Sequence, residues 1–158
     1  MLNFKSSTLE DITALLNIEK HCFPIEIQFT KETYMSLFKN KDNIIDFIMY
    51  NDEAIGVVAV AVRKYTGIFF AARLCNLAII PEYQSKGLAK QTLEIYLNRL
   101  SHFHHVFLEV EMNNEKAVRL YEKCGFKHYK TIKNYYGLNK HALKMKKVFP
   151  VLNVIRAN

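Results

Sequence analysis

The segment Gln84-Ser85-Lys86-Gly87-Leu88-Ala89 links an apolar, strand-like run ending at Pro81 to a run of helical periodicity, an arrangement suited to holding an anion. The first N–H groups of a helix have no acceptor within the helix, and a pyrophosphate seated there would satisfy them. Gly87 has no Cβ and lets an anion approach the backbone, Ala89 keeps the next turn small, and Lys86 adds a full positive charge to the helix dipole. A Walker loop would need Gly-Lys-Ser/Thr and a dinucleotide fingerprint would need three glycines, and neither pattern is present. Taken alone, the segment fits an ordinary helix start as well as it fits a phosphate cradle.

Downstream lie residues able to move protons. Strand alternation over Val106 to Glu111 puts Val106, Leu108 and Val110 on one face and Phe107, Glu109 and Glu111 on the other. Either carboxylate could act as a general base, and a solvated strand face is the plain alternative. Tyr121 falls on the apolar side of a helix, where it is either a core residue with a satisfied hydroxyl or a proton donor with a phenol pKa near ~10. His102, His104 and His105 follow a helix end, lack a fourth ligand and do not match zinc spacings, so no metal is expected. Cys22, Cys75 and Cys124 form no C-x-x-C pair and no Cys-His-acid order, which argues against redox or thiol-nucleophile chemistry.

The elements that position these residues follow from periodicity and caps. Leu2 to Lys5 reads as a short strand, and Ser7-Thr8 with Asp11 as the start of a helix carrying Ile12, Leu15, Leu16, Cys22 and Phe23 on one face before Pro24 stops it. Thr30 caps a second helix through about Phe38, leaving Pro24 to Phe29 as a loop rich in apolar residues. Ile44–Tyr50 and Ile55–Tyr65 form a hairpin about Asn51-Asp52-Glu53, and Phe69 to Ile80 is a long strand. A helix from Gly87 to about Leu100 packs through Ala89, Leu93, Tyr96 and Leu100. Asn114 caps a further helix with a buried face of Ala117, Leu120, Tyr121 and Cys124, and Gly125 ends it. Phe126–Thr131 and His141–Val148 are the last strands, joined by a loop holding Asn134-Tyr135-Tyr136-Gly137. The alternation implies an α/β fold.

The 158 residues suit one domain, taken as residues 1–148 with a tail at 149–158, and 50% hydrophobic with 23% charged residues is a globular composition. No basic segment followed by an apolar stretch opens the sequence, and the longest apolar run, Ile55 to Val62, is too short for a bilayer, so a reducing cytoplasm without membrane attachment is expected. The net charge of +7 favours anionic partners or serves solubility; the basic residues are scattered and form no nucleic-acid arm, and no specific nucleic acid is expected.

On the motifs Gln84-x-x-Gly87-x-Ala89, Leu108-Glu109-Val110 and Asn114-x-x-Ala117-x-x-Leu120-Tyr121-x-x-x-Gly125-Phe126, the chain resembles the GNAT superfamily of acetyltransferases. The Leu-Glu-Val strand, the Leu-Tyr pair and Asn134-Tyr135-Tyr136 are most similar to the RimI type of protein N-terminal α-amine acetyltransferases. The resemblance implies the GNAT fold, a mixed, mostly antiparallel twisted sheet of about seven strands flanked by about four helices. It implies acetyl-CoA as cofactor, held by Leu77, Ala78, Ile79, Gln84, Ser85, Lys86, Gly87, Leu88, Ala89, Asn114 and Tyr121. It makes Glu109 the base acting through water and Tyr121 the acid, with Glu111 the alternative base. The acceptor implied is a protein or peptide N-terminus, ribosomal proteins among the candidates, contacted by Phe23, Glu26, Tyr135 and Tyr136 on a monomer or weak dimer. A small-molecule amine acetyltransferase and a non-catalytic coenzyme A-binding module are the competing readings. The RimI pattern carries Pro-Trp after the first helix, whereas this chain has Pro24-Ile25-Glu26-Ile27 and no tryptophan, a departure that bears on acceptor specificity.

Overall fold

A computed structural model describes residues 1–64 and 70–150. The expected strand ends at Tyr65 and Phe69, and the tail beyond residue 150, lie outside the described residues. Among the described residues seven strands form one sheet: β1 (Leu2–Ser6), β2 (Ile44–Tyr50), β3 (Glu53–Lys64), β4 (Phe70–Ile79), β5 (His105–Glu111), β6 (Lys127–Ile132) and β7 (Ala142–Val148), in the order β1-β2-β3-β4-β5-β7-β6. The same described residues hold four α-helices: α1 (Ile12–Cys22), α2 (Lys31–Phe38), α3 (Leu88–Arg99) and α4 (Glu115–Lys123). β4 and β5 pair in parallel, while β1–β2, β2–β3, β5–β7 and β6–β7 are antiparallel, so the mixed, mostly antiparallel α/β architecture is the one the sequence implies.

Two compact units are present: Met1–Ala61 with Leu74–Thr92, and Val62–Arg73 with Leu93–Asn158. In the first, Ile12, Leu15, Ile18, Tyr34, Ile45, Phe47, Val57, Ala59 and Ala78 form one buried cluster. Local chemistry sets the element ends. Thr30 Oγ1 accepts from the Thr33 N–H at 3.3 Å to cap α2, Asp11 accepts from the Thr8 N–H at 2.8 Å ahead of α1, and Asn51 and Asp52 turn the β2–β3 hairpin at φ 50° and 67°.

The second unit is built on β5, which is flanked by β4 and β7. Val106, Leu108 and Val110 are buried with Leu93, Tyr96, Leu97 and Leu100 of α3, Phe126, and Met145 of β7. Asn114 Oδ1 accepts from the Ala117 N–H at 3.1 Å and Gly125 closes α4 at φ +91°, both as the sequence implies. The expected buried face of α4 is shallower than its pattern suggests: Ala117, Leu120 and Tyr121 are half-buried, and Cys124, just past the helix, is the fully buried residue. Phe149, assigned to the tail by sequence, is buried and donates its N–H to the His104 carbonyl at 3.0 Å.

Gly56 on β3 lets the backbone of β4 come close, since an added Cβ would lie 2.2 Å from the Ala78 carbonyl oxygen. Because that neighbour is backbone, it has no rotamer to escape into. Gly56→Ala is expected to destabilise the fold by about 1–3 kcal/mol, read as a lower urea midpoint with an unchanged slope; an unshifted midpoint would contradict the packing described.

Candidate active site

In the first unit the end of β4 is held by Gln84, whose Nε2 donates to the Ile79 carbonyl at 2.7 Å. A 3-10 turn, Pro81–Tyr83, leads into the loop, and the backbone then runs through positive φ at Ser85 (62°) and Gly87 (76°) before α3 begins at Leu88. At Gly87 an added Cβ would meet nothing nearer than Gln91 Nε2 at 3.8 Å, so the space above the loop is open, and the left-handed backbone there favours glycine. Lys86 Nζ lies 4.9 Å from the centre of the Tyr83 ring. Leu88, Ala78 and Ile79 bury their side chains, so any role of theirs at the surface belongs to the backbone. A diphosphate fits these features: an open glycine, a helix start and a nearby ammonium group.

A residue the sequence reading missed lies in the same unit. Glu19 is fully buried; its Oε1 accepts from Tyr34 Oη at 2.7 Å and from Asn76 Nδ2, and its Oε2 accepts from the Phe29 N–H at 3.0 Å. One carboxylate thus ties α1 to α2, to β4 and to the end of the Pro24–Phe29 segment. That segment makes a 3-10 turn at Ile25–Ile27, with the Phe23 carbonyl accepting from Gln28 Nε2 at 2.7 Å. Phe23 is half-buried against the core cluster, whereas Glu26 and Ile25 face solvent. The signal was there: Leu15, Glu19 and Phe23 step by four, which puts the glutamate on the apolar stripe of α1. Burial raises the Glu19 pKa, opposed by the three hydrogen bonds, and the neighbouring Cys22 thiol is pushed up to about 12, chiefly by burial and then by Glu19 and Glu82.

The second unit carries the proton-handling residues. Glu109 Oε2 is 2.9 Å from Arg73 Nε, its Oε1 is 3.8 Å from Lys144 Nζ, and only 8% of its side chain is exposed. Arg73 also donates through Nη2 to Tyr135 Oη at 3.1 Å, and Tyr136 Oη donates to the Glu109 backbone carbonyl at 3.1 Å. The two tyrosine rings meet edge-on with centroids 4.8 Å apart. The β6–β7 loop is therefore fastened beside Glu109 at two points, by Tyr135 to Arg73 of β4 and by Tyr136 to the β5 backbone. Tyr135 is exposed, and Tyr136 is half-buried with its phenol pKa raised by burial, then by Tyr135 and Glu109. Arg73 was not anticipated; its trace in the sequence is a single cation inside the apolar run Phe70–Ile79.

Tyr121 is half-buried and packs edge-on against Phe126 at 5.8 Å, and burial, followed by Cys124, pushes its pKa up to about 12. Its phenol is protonated throughout the neutral range. Glu111 is also half-buried and pairs with Ala142 across the β5–β7 ladder, two residues along β5 from Glu109. Asn114 uses its side-chain oxygen as the α4 cap.

Residues 12–126 match the model of the acetyltransferase (GNAT) family. The chain belongs to that family, and with membership goes acetyl-CoA as the acyl donor. Among curated relatives, N-alpha-acetyltransferase 30 of Schizosaccharomyces pombe is 33% identical over 90 residues, covering 54% of this chain and 59% of the relative. The ribosomal protein bS18-alanine N-acetyltransferase of Escherichia coli K12 is 29% identical over 136 residues, covering 82% of this chain and 85% of the relative. The chain spans between about two fifths and three fifths of the length of the eukaryotic and archaeal relatives it matches. Among solved structures, Naa50 of Arabidopsis thaliana in complex with the bisubstrate analogue CoA-Ac-MVNAL superposes with a TM-score of 0.80 at 22% identity, covering 94% of this chain and 99% of that one, which supports the fold.

Buried Glu19 makes stability depend on pH in a defined direction. A carboxyl whose folded pKa is raised stabilises the fold below its unfolded value and loses that contribution as pH rises through the folded value. Stability of the wild type is therefore expected to fall as pH rises above the ordinary value of 4.5, and Glu19→Gln, which does not titrate, should flatten that part of the profile. Urea midpoints taken from just below that value up to neutral pH measure it; parallel profiles would show that Glu19 keeps its ordinary pKa.

Proposed function

We propose that this chain transfers acetyl from acetyl-CoA directly to the N-terminal α-amine of a protein or peptide, in a reducing cytoplasm and as a monomer or weak dimer. The observation that carries this reading is the Glu109 carboxylate, oriented by Arg73 and bordered by Tyr135 and Tyr136 of one loop. The names of the relatives support the same acceptor class, and the relative named for bS18 supports counting ribosomal proteins among the candidates.

Acetyl-CoA supplies an activated thioester carbonyl. The chain's own residues supply position and protons. The loop Gln84–Ala89 holds the diphosphate through backbone N–H groups, with Lys86 adding charge, and Leu77, Ala78 and Ile79 offer backbone groups of β4 to the pantetheine arm and the developing oxyanion. Residues 1–148 act as the domain that does this, with 149–158 as its tail. Glu109 takes a proton from the acceptor amine through a water, and Tyr121 gives one to the departing thiolate sulfur. Asn114, beyond its capping role, adds a polar contact to the cofactor's thiol end. Phe23 and Glu26 border the acceptor from the segment after α1, and Tyr135 and Tyr136 hold its backbone.

A weak base suffices for this acceptor. An α-amine with a pKa of about 7.7–8.0 is already partly neutral at physiological pH, whereas a lysine at about 10.4 is almost wholly charged. A carboxylate facing two cations is oriented by them, and it need only collect the proton as the amine attacks.

Glu109→Gln is expected to lower kcat by roughly 10²–10⁴-fold with little change in KM, and Tyr121→Phe to lower it within the same range. A peptide library incubated with acetyl-CoA and read by mass spectrometry should show acetyl groups on α-amines in preference to lysines. Acetylation of a polyamine or amino sugar with peptides left untouched would sink the proposal, as would full activity in both variants.

A further inference from the structure

The basic residues look scattered along the chain but are gathered by the sheet. From Lys116 to Lys147 the sequence holds ten of the 22 Lys and Arg residues and, of the 15 acidic ones, only Glu122. The ladder then sorts them by face. Lys144 pairs with Glu109 and Lys146 with Phe107 across β5–β7, while Lys130 pairs with Lys144 and Lys127 with Lys146 across β6–β7. Residues directly opposite each other project to the same face of a sheet, so Lys127, Lys130, Lys144 and Lys146 share the face that carries Glu109. The intervening Met145 points the other way and is fully buried.

Within this face Lys144 Nζ lies 3.8 Å from Glu109 Oε1 and 5.0 Å from the centre of the Phe107 ring, and Lys146 Nζ lies 5.0 Å from the centre of the exposed Tyr129 ring. Lys127, Lys130 and Lys146 are exposed. Two pairs of like charges set directly opposite each other work against the sheet, and a binding partner of opposite charge would relieve them. The track starts at the carboxylate to which the reactive amine must come, so whatever brings that amine crosses the lysines next.

We propose that this face selects acceptors whose chain carries Asp or Glu a few residues inward from the reacting amine. The inference rests on the α-amine reading above and names its substrate class. Strands are about 4.8 Å apart and an extended chain advances about 3.3 Å per residue, so Lys130, two strands from Glu109, lies about three residues along the acceptor. Lys146, one strand across and two residues along, lies at a similar reach of about 8 Å, and Lys127, two strands across and two residues along, at about 12 Å, so acidic side chains at positions three to six of the acceptor meet the group. Carboxylates on a peptide suit this arrangement because the cations continue directly from Glu109, where a peptide amine and not a phosphodiester is needed.

The test compares two peptides with the same first two residues, one with Asp and Glu at positions three to six and one with Ser and Gln there. The wild type should favour the acidic peptide by about tenfold in kcat/KM at low salt, mainly through KM, with the ratio falling toward one at high salt. In Lys127→Glu/Lys130→Glu the ratio should fall to one or below, and being a ratio it is insensitive to the amount of folded enzyme. Equal rates on both peptides in the low-salt wild type would overturn the proposal, as would a variant that keeps the preference. Binding of a single-stranded RNA that is lost in the variant, with no preference between peptides, would give the face to nucleic acid instead. Should no α-amine be acetylated at all, the functional reading fails by itself; fluorescence anisotropy with the labelled acidic peptide then decides the face, and failure to bind more tightly than the neutral peptide overturns it.

Discussion

The contact between Arg73 and Glu109 is the constraint around which the second unit is arranged. It joins a residue of β4 to one of β5 across a parallel pair, and the same guanidinium reaches Tyr135 while the same strand position accepts from Tyr136. With 8% of its side chain exposed, this carboxylate has given up most of its water, and the Arg73 guanidinium and Lys144 ammonium stand where water would otherwise be. The pair fixes the direction of the carboxylate and the height of the loop beside it. The identity of the amine belongs to the same constraint, because a carboxylate suits an amine that is easily made neutral.

Glu19 is the instructive contrast. It is buried more deeply than Glu109, yet its side-chain and backbone partners are neutral: a phenol, an amide and a main-chain N–H. With no cation among those hydrogen-bond partners, burial dominates and its pKa rises, so the residue behaves as a structural tie. What it ties is the segment between Phe23 and Phe29, whose exposed Ile25 and Glu26 depend on a backbone anchored at Phe29. The side chain that fixes this surface is thus held well inside the unit. Replacing it with an apolar residue would leave the Tyr34 hydroxyl, the Asn76 amide and the Phe29 N–H to find other partners in a packed interior, at roughly 1–3 kcal/mol for each that fails.

How far the sequence discloses all this depends on the range of the interaction. Thr30, Asn114 and Gly125 act on backbone within a few residues, and their roles as caps and stop are plain from the string alone. The phosphate loop is equally local, though its positive φ at Ser85 is not, since serine carries no such signature. Periodicity marks Glu19 as being on an apolar stripe and Arg73 as a cation in an apolar strand, but it cannot say what either meets. Those partners are 57 residues away for Glu19 and Asn76 and 36 for Arg73 and Glu109, and only strand order and register bring them together. The shallow burial of α4 was hidden for a related reason: an amphipathic pattern gives the direction of a buried face and not the depth to which the helix sinks.

The same limit explains why a net charge of +7 read as diffuse along the sequence. A long run of like charges is what a linear search detects, and the Lys-Met-Lys-Lys order in β7 holds no more than two in a row. A pleated strand turns that order into two surfaces, with Met145 in the core and Lys144 and Lys146 together on the other side. Pairing with β6 then repeats the operation, because register sets Lys130 and Lys127 beside them in spite of the bulge between His128 and Lys130. A shift of one residue in the β5–β7 ladder would send Lys144 and Lys146 to the face Met145 occupies and strip Glu109 of its second cation, and one in the β6–β7 ladder would take Lys127 and Lys130 from beside them. Buried Met145 therefore holds the register on which the charge of the opposite face depends, and an apolar contact on one side of the strand determines the electrostatics on the other.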